Sequence, residues 1–482
     1  MQKKHRFLFL GLSLALTALW LLTAAQCQQG SKSANFDLSI GNKQLAVDNY
    51  AQYCASCHGL NMERFAGADR AALFSTPMAD MVAVVSDGDM ETGMPAFGHV
   101  LSQDEIADIS AYILTDMKEA TDGQEQRPAM AAIQQSEKLD FKLDTLITGL
   151  EVPWGMTWLP DGDMLVAERG GQLFRFRNGT FVAQIEDLPE IYAHGQGGLM
   201  DVRLHPDYEN NGWLYLAYAT TGEGGSAQGG NTAIMRARLK ENRLTDKQLL
   251  FKGLPDTRAG VHFGTRMVFD NDCYLYFSIG DRGHMPNAQT LGNHAGKIHR
   301  IKDDGGIPAD NPFVDTPDAM PTIWSYGHRN PQGLVKHPQT GALWSHEHGP
   351  RGGDEINLIQ PGLNYGWPEI SYGINYDGTI ITEDTTKAGM EQPIHQWTPS
   401  IAPCGMTFVS GTPFKAWENN ILSGSLSFRY LVRNEVVGNE VVHQEILLRD
   451  IGRLRNVELG PDGLLYVAVE NPGVIYRLSP LP

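Results

Sequence analysis

The chain of 482 residues is 42% hydrophobic and 20% charged, which is typical of a folded globular protein with roughly two or three domains. Its formal net charge of −18 gives phosphate backbones no electrostatic attraction, so nucleic-acid binding is excluded. The 52 glycines and 26 prolines favour many short strands and turns over long helices.

The first segment, 1–30, has the pattern of an export signal. Basic residues precede an apolar run over 7–22, and small residues follow it. The run is also long enough for an uncleaved membrane anchor, and Cys27 offers lipid attachment as a third alternative. In each case we expect the rest of the chain in the periplasm or at the outer face of a bacterial membrane.

A haem-attachment motif, Cys54-Ala-Ser-Cys57-His58, follows in the chain. Two thiols two residues apart, with a histidine directly after the second, typically attach a c-type haem. Cys54 and Cys57 would bind the haem covalently, and His58 would be an axial ligand of its iron. The alternatives are a chance match and a metal site. The export signal favours the haem, because the motif resembles that of proteins matured outside the bacterial cytoplasm.

Helical patterns flank this motif. Apolar residues recur at helical spacing ahead of it, at Leu45, Ala46, Tyr50 and Tyr53. Further on, Ser102 and Glu105 have the spacing of a capping box, which predicts a helix from about Gln103 to Met117. The segment 38–118 is therefore predicted to be a small all-α domain, and the polar stretch 119–139 a linker.

This region resembles the small class I cytochromes c, in which a methionine ahead of the last helix is commonly the second axial ligand. The resemblance implies that role for Met94, within Gly93-Met94-Pro95. The competing methionines are Met78, Met81 and Met90, and ordinary core packing is the other use of Met94. Thioether ligation raises the potential of a haem and makes it a better electron acceptor.

The sequence pattern changes in the segment 140–482. Six similar units recur, each consisting of an apolar strand, a turn rich in Pro or Asp, and a second apolar strand; they begin near residues 154, 200, 266, 333, 406 and 456. This repetition predicts an all-β domain, a six-bladed β-propeller, with a pair of β-sandwiches as the structural alternative.

Polar segments beside the repeated strands are expected at the mouth of the central channel, where the loops of all blades converge. Four of them stand out, at 194–201, 260–270, 325–334 and 347–368. They contain Gln196, His262 and the run from His328 to Gln332. Arg453 and Arg455 lie two apart, so in a strand both guanidinium groups face the same way and can bind carboxylates.

These segments, in this order, resemble the soluble quinoprotein glucose and aldose sugar dehydrogenases, six-bladed propellers that use pyrroloquinoline quinone (PQQ) and calcium. The most specific matches are HRNPQG, HGPRGGDEIN and NYGWP. The resemblance implies catalytic roles for His262, Arg329 and Gln196, with His262 accepting the proton of the anomeric hydroxyl of the sugar. It implies PQQ contacts by Gln196, Arg329, Asn330, Tyr376, Arg453 and Arg455. It implies calcium binding by the carbonyls of Gly349 and Pro350, and a second calcium bound by Glu355 and Tyr365.

One position departs from that family. Where its members often have a lysine, this chain has Ser427, and Arg429 is the candidate replacement if it points inward. Two further cysteines, Cys273 and Cys404, are predicted to be buried thiols. Three other histidines, His194, His205 and His328, are predicted to pack or to support turns.

The sequence thus predicts a quinohaemoprotein dehydrogenase that oxidises an aldose sugar to its lactone with PQQ and passes electrons to a covalent haem c. A sugar oxidation releases two electrons and the chain has one haem motif, so an external electron acceptor, a cytochrome or another respiratory-chain component, is expected as well. The alternatives are a calcium-dependent lactonase-like propeller and a non-catalytic binding propeller that carries an electron-transfer cytochrome.

Overall fold

The computed structural model describes residues 38–58, 62, 72–89, 94–118, 130–411 and 413–481. The predicted export signal, Cys27 and Met90 lie outside these residues. Among the described helices, none is both long and apolar enough to cross a membrane.

The first described region is helical and small. Its elements are α1 (Lys43–Asn49), a π-helical turn (Tyr50–Cys54), α2 (Ala55–His58), α3 (Met78–Asp87), α4 (Gln103–Tyr112) and a final π-helical turn (Ile113–Met117). The predicted capping box at the start of α4 is present: the Ser102 hydroxyl accepts from the Glu105 amide, and the Glu105 carboxylate accepts from Ser102. One apolar core joins these helices, with Tyr50, Ile106 and Ile109 almost wholly buried. Leu45, expected on the buried face, is instead 37% exposed.

The rest of the chain forms a six-bladed β-propeller, which confirms the predicted fold class. The first two strands are β1 (Ile133–Gln134) and β2 (Phe141–Ile147). Blade 1 then contains β3 (Pro153–Trp158), β4 (Met164–Glu168), β5 (Leu173–Arg177) and β6 (Thr180–Gln184). Blade 2 contains β7 (Leu199–Leu204), β8 (Trp213–Thr221), β9 (Gly230–Lys240) and β10 (Arg243–Lys252). Blade 3 contains β11 (Met267–Phe269), β12 (Leu275–Ile279), β13 (Lys297–Ile301) and β14 (Ile323–Tyr326).

The remaining three blades follow the same antiparallel order from the channel outward. Blade 4 contains β15 (Pro331–Lys336), β16 (Leu343–Glu347), β17 (Asp354–Ile359) and β18 (His395–Trp397). Blade 5 contains β19 (Pro403–Phe408), β20 (Ile421–Ser425), β21 (Leu431–Val437) and β22 (Glu440–Leu447). Blade 6 contains β23 (Arg453–Leu459), β24 (Leu465–Glu470) and β25 (Val474–Pro480). Short helical segments interrupt the loops: α5 (Tyr208–Asn211) and 3-10 turns at Gly225–Gln228, Met285–Gln289 and Lys415–Trp417.

The ring is closed by its first strands. β2 pairs with β25, and β1 pairs with β2, so blade 6 has five strands from both ends of the domain. The sheet therefore begins at Ile133, inside the stretch predicted as linker. The turn between β1 and β2 is held to blade 5, because the Glu137 amide donates to Glu445 (2.6 Å) and Lys138 pairs with Glu435 (2.8 Å).

A β-bulge recurs near the start of the inner strand in five blades. In β3, β7, β15, β19 and β23 the register shifts by one residue at Trp154, Met200, Gln332, Gly405 and Arg455 respectively. A bulge leaves its extra residue out of the ladder and redirects it. Here this turns carbonyls and side chains toward the central channel.

One buried arginine uses these bulges to join the blades. The Arg266 guanidinium, directly before β11, donates to the carbonyls of three bulged residues, Trp154 (3.0 Å), Gln332 (3.2 Å) and Arg455 (2.8 Å). It also lies 3.7 Å from the Asp201 carboxylate of blade 2 and 3.8 Å from the Cys404 sulfur of blade 5. A side chain of blade 3 thereby contacts the inner strand of every other blade, and it fills the channel below the mouth.

Candidate functional site

The polar residues singled out in the sequence come together at one mouth of the propeller. Gln196, His262 and Arg329 lie in the loops that lead into the inner strands β7, β11 and β15, and Arg453 begins β23. Because all inner strands run in the same direction around a propeller, these loops share one face. Their convergence follows from the propeller fold, so the repeated strand pattern was enough to predict it without any single local motif.

His262 is held by two hydrogen bonds. Its Nδ1 lies 2.6 Å from Asp281 Oδ1, and its backbone amide donates to Gln196 Oε1 at 2.9 Å. The backbone of His262 has φ +54, in the left-handed region that a residue with a side chain rarely adopts. Gln196 is thereby fixed against His262, and the Nε2 atom is the ring nitrogen left to face the channel.

Asp281 fixes the orientation and tautomer of that histidine. Besides His262, the carboxylate accepts from Trp367 Nε1 at 2.8 Å and from the Gly283 amide at 2.8 Å, and its side chain is 1% exposed. With an ionised acceptor at Nδ1, the proton of a neutral imidazole lies on Nδ1 and Nε2 is a free base.

The electrostatics keep this pair as neutral imidazole and ionised carboxylate. Burial lowers the pKa of His262, and the positive charges of Arg329 and Arg282 lower it further, against the opposing effect of Asp281. Burial acts to raise the pKa of Asp281, but the charge and hydrogen bond of His262, and then the charge of Arg329, hold it below its ordinary value. His262 is thus available as a base at neutral pH.

Arg329 lies on the other side of the same mouth. It is 6% exposed, donates to the carbonyls of His348 (3.1 Å) and Gly349 (2.8 Å), and lies 3.4 Å from the Tyr376 hydroxyl. Its charge lies over the Trp367 ring, 5.4 Å from the centroid. The predicted pair of Arg329 and Tyr376 is therefore in direct contact.

Asn330 presents a buried donor with no partner. Its Oδ1 accepts from the Gly264 amide at 3.2 Å, whereas its Nδ2 makes no hydrogen bond although the residue is 1% exposed. Gly280 lies against this amide, and a side chain there would meet Asn330 Oδ1 at 2.7 Å. A buried unpaired amide is costly, so it indicates a position at which a ligand acceptor binds.

Arg453 and Arg455 face the same way, as their spacing predicts, and both bind Glu470 on the neighbouring strand β24. Arg453 Nε lies 3.0 Å from Glu470 Oε2, and the Arg455 guanidinium contacts Oε1. Burial alone would raise the pKa of Glu470, but the two arginines reverse this and lower it to about 2. Two positive charges against one carboxylate leave a net positive site for an anionic ligand.

The loop 347–354 is a tight backbone cradle. A side chain at Gly349 would come within 2.3 Å of the Gly353 carbonyl group, so only glycine fits there. Asp354 accepts from the Gly349 amide (2.7 Å) and from the Ala402 amide (2.7 Å), and burial raises the pKa of this carboxyl to about 7. The Pro350 carbonyl accepts from the Ser400 hydroxyl at 3.1 Å. The carbonyls of Gly349 and Pro350 are the hard oxygen donors that calcium prefers.

Two adjacent carboxylates, the buried Glu347 and the half-buried Glu355, lie beside this loop. Burial, and then the negative charge of Glu347, raise the pKa of Glu355 to about 8. Asn357 Nδ2 donates to both carboxylates, at 3.1 Å and 3.3 Å, while its Oδ1 is buried without a partner. The Tyr365 hydroxyl instead bonds Leu358 O (2.6 Å) and the Gln360 amide (2.8 Å). Two adjacent carboxylates and an unpaired amide oxygen suit a hard cation, although the described residues contain no group of three or more His, Cys, Asp or Glu with metal-binding spacing.

The expected replacement for the family lysine is not supported. The Ser427 amide donates to the Ile401 carbonyl at 3.1 Å, and the guanidinium of Arg429 pairs with Asp450 at 3.1 Å. Asp450 is 77% exposed, so the charge of Arg429 is matched by a carboxylate at the surface. Sequence distance alone could not reveal this, because Asp450 comes from the loop after the next two strands.

The remaining histidines and cysteines have mostly structural surroundings. His328 is wholly buried between Ser325 (2.9 Å) and Glu347 (2.8 Å). Cys404 is buried as predicted, whereas Cys273 is only half-buried, since it occupies an exposed turn with φ +64.

The haem motif lies in a turn that suits its proposed use. Cys54 ends the π-helical turn and is 4% exposed, and His58 ends α2, four residues on and so on the same face. The side chain of Cys57 lies outside the described part of the chain. Cys54 packs in the apolar core with Met62 and Met81, and Met94 lies at its edge.

The segment around Met94 is tied to α3. Met94 and Asp89 exchange two backbone hydrogen bonds of 2.8 Å, and the Phe97 amide donates to Val85 O at 3.0 Å. A side chain at Gly88, which has φ +72, would meet the Met94 carbonyl at 2.7 Å. Glycine is therefore required where the Met94 loop crosses the end of the helix.

Three site residues escaped the sequence reasoning: Asp281, Trp367 and Glu470. Each contacts a predicted residue through the fold: Asp281 contacts His262 across 19 positions, Glu470 contacts Arg455 across 15, and the Trp367 ring lies against Arg329. A signal did exist for Glu470 and Asp281, because each ends a repeated unit at the edge that faces the mouth.

Two family models match this chain, one in the propeller and one in the helical domain. The family model of glucose/sorbosone dehydrogenases matches residues 150–477, and that of the cbb3-type cytochrome c oxidase subunit III matches residues 43–113. An aldose sugar dehydrogenase of Escherichia coli is 41% identical over 346 residues, which are 70% of this chain and 92% of that protein.

Two solved structures extend the comparison. The apo form of the soluble E. coli aldose sugar dehydrogenase has a TM-score of 0.68 and 38% identity, and the match covers 71% of this chain and all of that one. The PQQ-bound aldose sugar dehydrogenase of Streptomyces coelicolor has a TM-score of 0.60 and 27% identity, with 73% of this chain and all of that one covered.

Proposed function

The chain belongs to the glucose/sorbosone dehydrogenase family and carries a cytochrome c domain, and on that premise we propose that it is an exported PQQ-dependent aldose dehydrogenase that passes its electrons to a covalently attached haem c. The product is the lactone of the sugar. The observation that carries this proposal is the pair of His262 and Asp281, set at one channel mouth with Gln196 and Arg329.

The residues at the mouth fit PQQ. This cofactor carries several carboxylates, and the site supplies Arg329, Arg453 and Arg455 against the two carboxylates of Glu470 and Asp281. The unpaired Nδ2 of Asn330 offers one more donor, and Tyr376 and Gln196 complete the set. When bound, the orthoquinone supplies an acceptor for the hydride of the sugar.

The residues at the loop 347–354 fit calcium. The carbonyls of Gly349 and Pro350 would hold the ion at the cofactor, and Arg329, which now donates to Gly349 O, would turn toward the quinone oxygens. A second calcium would lie at Glu355, with Glu347 beside it and Tyr365 on the adjoining turn.

His262 performs the proton chemistry. Oxidation of the anomeric carbon removes one hydride from the carbon and one proton from its hydroxyl group. Because a hydride is a proton with two electrons, the sugar loses two protons and two electrons in total. Nε2 of His262 takes the hydroxyl proton, which weakens the C–H bond, and Asp281 stabilises the imidazolium that forms. Arg329 stabilises the negative charge that develops as hydride arrives.

The test is reconstitution of the full-length protein with PQQ and calcium, followed by turnover of aldoses with an artificial electron acceptor. We expect turnover that requires PQQ, and a loss of about 100-fold to 10,000-fold in kcat for H262Q. The control H443Q changes an exposed histidine of blade 5 and should keep full activity.

The competing functions predict other outcomes. Consumption of a lactone without any electron acceptor would identify a lactonase. An H262Q variant with full turnover, or a protein that binds sugar without oxidising it, would favour a binding propeller. Export is tested separately, by locating the full chain in the cell and by mass analysis of the mature N-terminus and of Cys27.

A further inference from the structure

We infer that His99 and Asp377 form a dock that sets the cytochrome domain on the propeller loop beside the cofactor site. The pair joins the two domains directly: His99 Nε2 lies 2.6 Å from Asp377 Oδ2. This inference rests on the proposed function and adds the positioning residues for electron transfer within the chain.

On the cytochrome side, His99 is rigidly connected to the haem segment. It comes five residues after Met94, and the amides of Phe97 and Gly98 donate to the end of α3, at Val85 O (3.0 Å) and Ser86 O (2.9 Å). The Phe97 ring packs edge-on against Tyr53, directly before Cys54, with centroids 6.0 Å apart. His99 is therefore fixed in position relative to both the predicted axial ligand, Met94, and the haem-attachment turn.

On the propeller side, Asp377 is equally well fixed. Its Oδ1 accepts from the amide (2.8 Å) and the hydroxyl (2.6 Å) of Thr379, which closes a tight turn and leaves Oδ2 for His99. Asp377 is 15% exposed whereas His99 is 54% exposed. Burial acts to raise the pKa of Asp377, but the bonds from Thr379 and then from His99 lower it, so the carboxylate is ionised toward its partner.

The turn that contains Asp377 also builds the cofactor site. The preceding residue, Tyr376, contacts Arg329 at 3.4 Å, and Ile374 exchanges backbone hydrogen bonds with Arg351 of the calcium loop. The docking carboxylate therefore belongs to the residue directly after Tyr376, which is proposed to contact PQQ. This contact joins the loop that follows Met94 to the turn that supplies Tyr376.

The transfer of two electrons through a single haem favours a contact between the domains that persists through a whole turnover. Each sugar gives up two electrons, and a ferric haem accepts one at a time, so the haem must be re-oxidised once between the two transfers by an external one-electron acceptor protein. A domain that is held in place makes the second transfer without a new encounter.

The first test needs no activity. In the H99K variant of the full-length haem protein, a zero-length carbodiimide should join the new amine to Asp377, and peptide mass analysis should locate that amide. The matched control H99K/D377N should lose this cross-link and no other. Absence of the 99–377 cross-link in H99K, with cross-links elsewhere intact, would overturn the dock.

The second test separates the dock from the proposed function. After rapid mixing with aldose, H99A and D377N should reduce the haem at least tenfold more slowly than the unmodified protein, while turnover of H99A with an artificial acceptor stays unchanged. H443A removes an ion pair of similar exposure on blade 5, between His443 and Glu137, and should change neither rate. An unchanged rate of haem reduction in H99A and D377N would overturn the dock. If the unmodified protein itself shows no turnover with an artificial acceptor, the proposed function is refuted instead.

Discussion

The two domains build their sites in opposite ways. The proposed haem site of the helical domain lies within one short stretch, where Cys54 and His58 share a helix face, and of its proposed ligands only Met94 comes from elsewhere. The propeller site takes a few residues from each of several blades, and its central pair, His262 and Asp281, lies on two successive strand edges. A single substitution can therefore abolish the haem site, whereas the propeller site also depends on the packing of the blades that position its residues.

The largest expected effect is loss of the haem in C54A/C57A. Without the two thiols, covalent attachment is abolished, so the haem absorbance of the denatured protein should vanish completely. Turnover of sugar with an artificial acceptor should persist within about twofold, because no blade depends on the helical domain for its strands. A parallel loss of both would show that the domains are not independent. C404A, which removes a buried thiol of blade 5, is the control for haem content.

D281N tests whether the histidine depends on its partner. The amide cannot hold the same tautomer or stabilise the imidazolium, so we expect kcat to fall about 100-fold or more. Asp281 acts to raise the pKa of His262, so its neutralisation should move the acid limb of the kcat/KM profile to lower pH. The measurement is a pH profile of both proteins. An acid limb that moves to higher pH would contradict the assignment.

R266M tests whether the ring depends on the central arginine. The substitution leaves three bulge carbonyls without their donor in the channel and removes a buried positive charge beside Asp201, and breaking a buried pair costs on the order of 3–5 kcal/mol. Denaturant unfolding of the full-length protein should show this loss, with haem content unchanged. R238M is the control, since Arg238 stacks on a tryptophan at the half-exposed surface of blade 2. Equal stability of R266M and R238M would refute the bridging role.

The smallest effect concerns the second calcium. At about one hundred times the dissociation constant a ligand stabilises the folded state by about 2.7 kcal/mol, and E355Q should remove that gain by taking away a ligand charge. Thermal unfolding with calcium and with chelator measures it. E369Q, at an exposed pair with Lys387, should behave like the unmodified protein, and a calcium response preserved in E355Q would place the ion elsewhere.

The same contrast explains what the sequence could and could not predict. The haem motif and the capping box at Ser102 are local patterns, and the six propeller units repeat a strand pattern, so both were predictable. Asp281 pairs with His262, and Glu470 pairs with Arg453 and Arg455, only once the blades have folded. The Arg266 bridge depends on bulges in three separate strands. Arg429 was a candidate replacement for the family lysine only if it pointed inward, and it pairs instead with Asp450 of a neighbouring loop. The dock joins residues 278 positions apart, beyond any periodicity.

The most direct measurement is single-turnover mixing of an aldose with the full-length protein, reconstituted with PQQ and calcium and followed at the haem absorbance without a mediator. If the electrons move within one chain, ferric haem is reduced at a rate that is independent of protein concentration, and this is the result we expect. A haem that stays oxidised while the sugar is consumed, or a rate that rises in proportion to protein concentration, would contradict it.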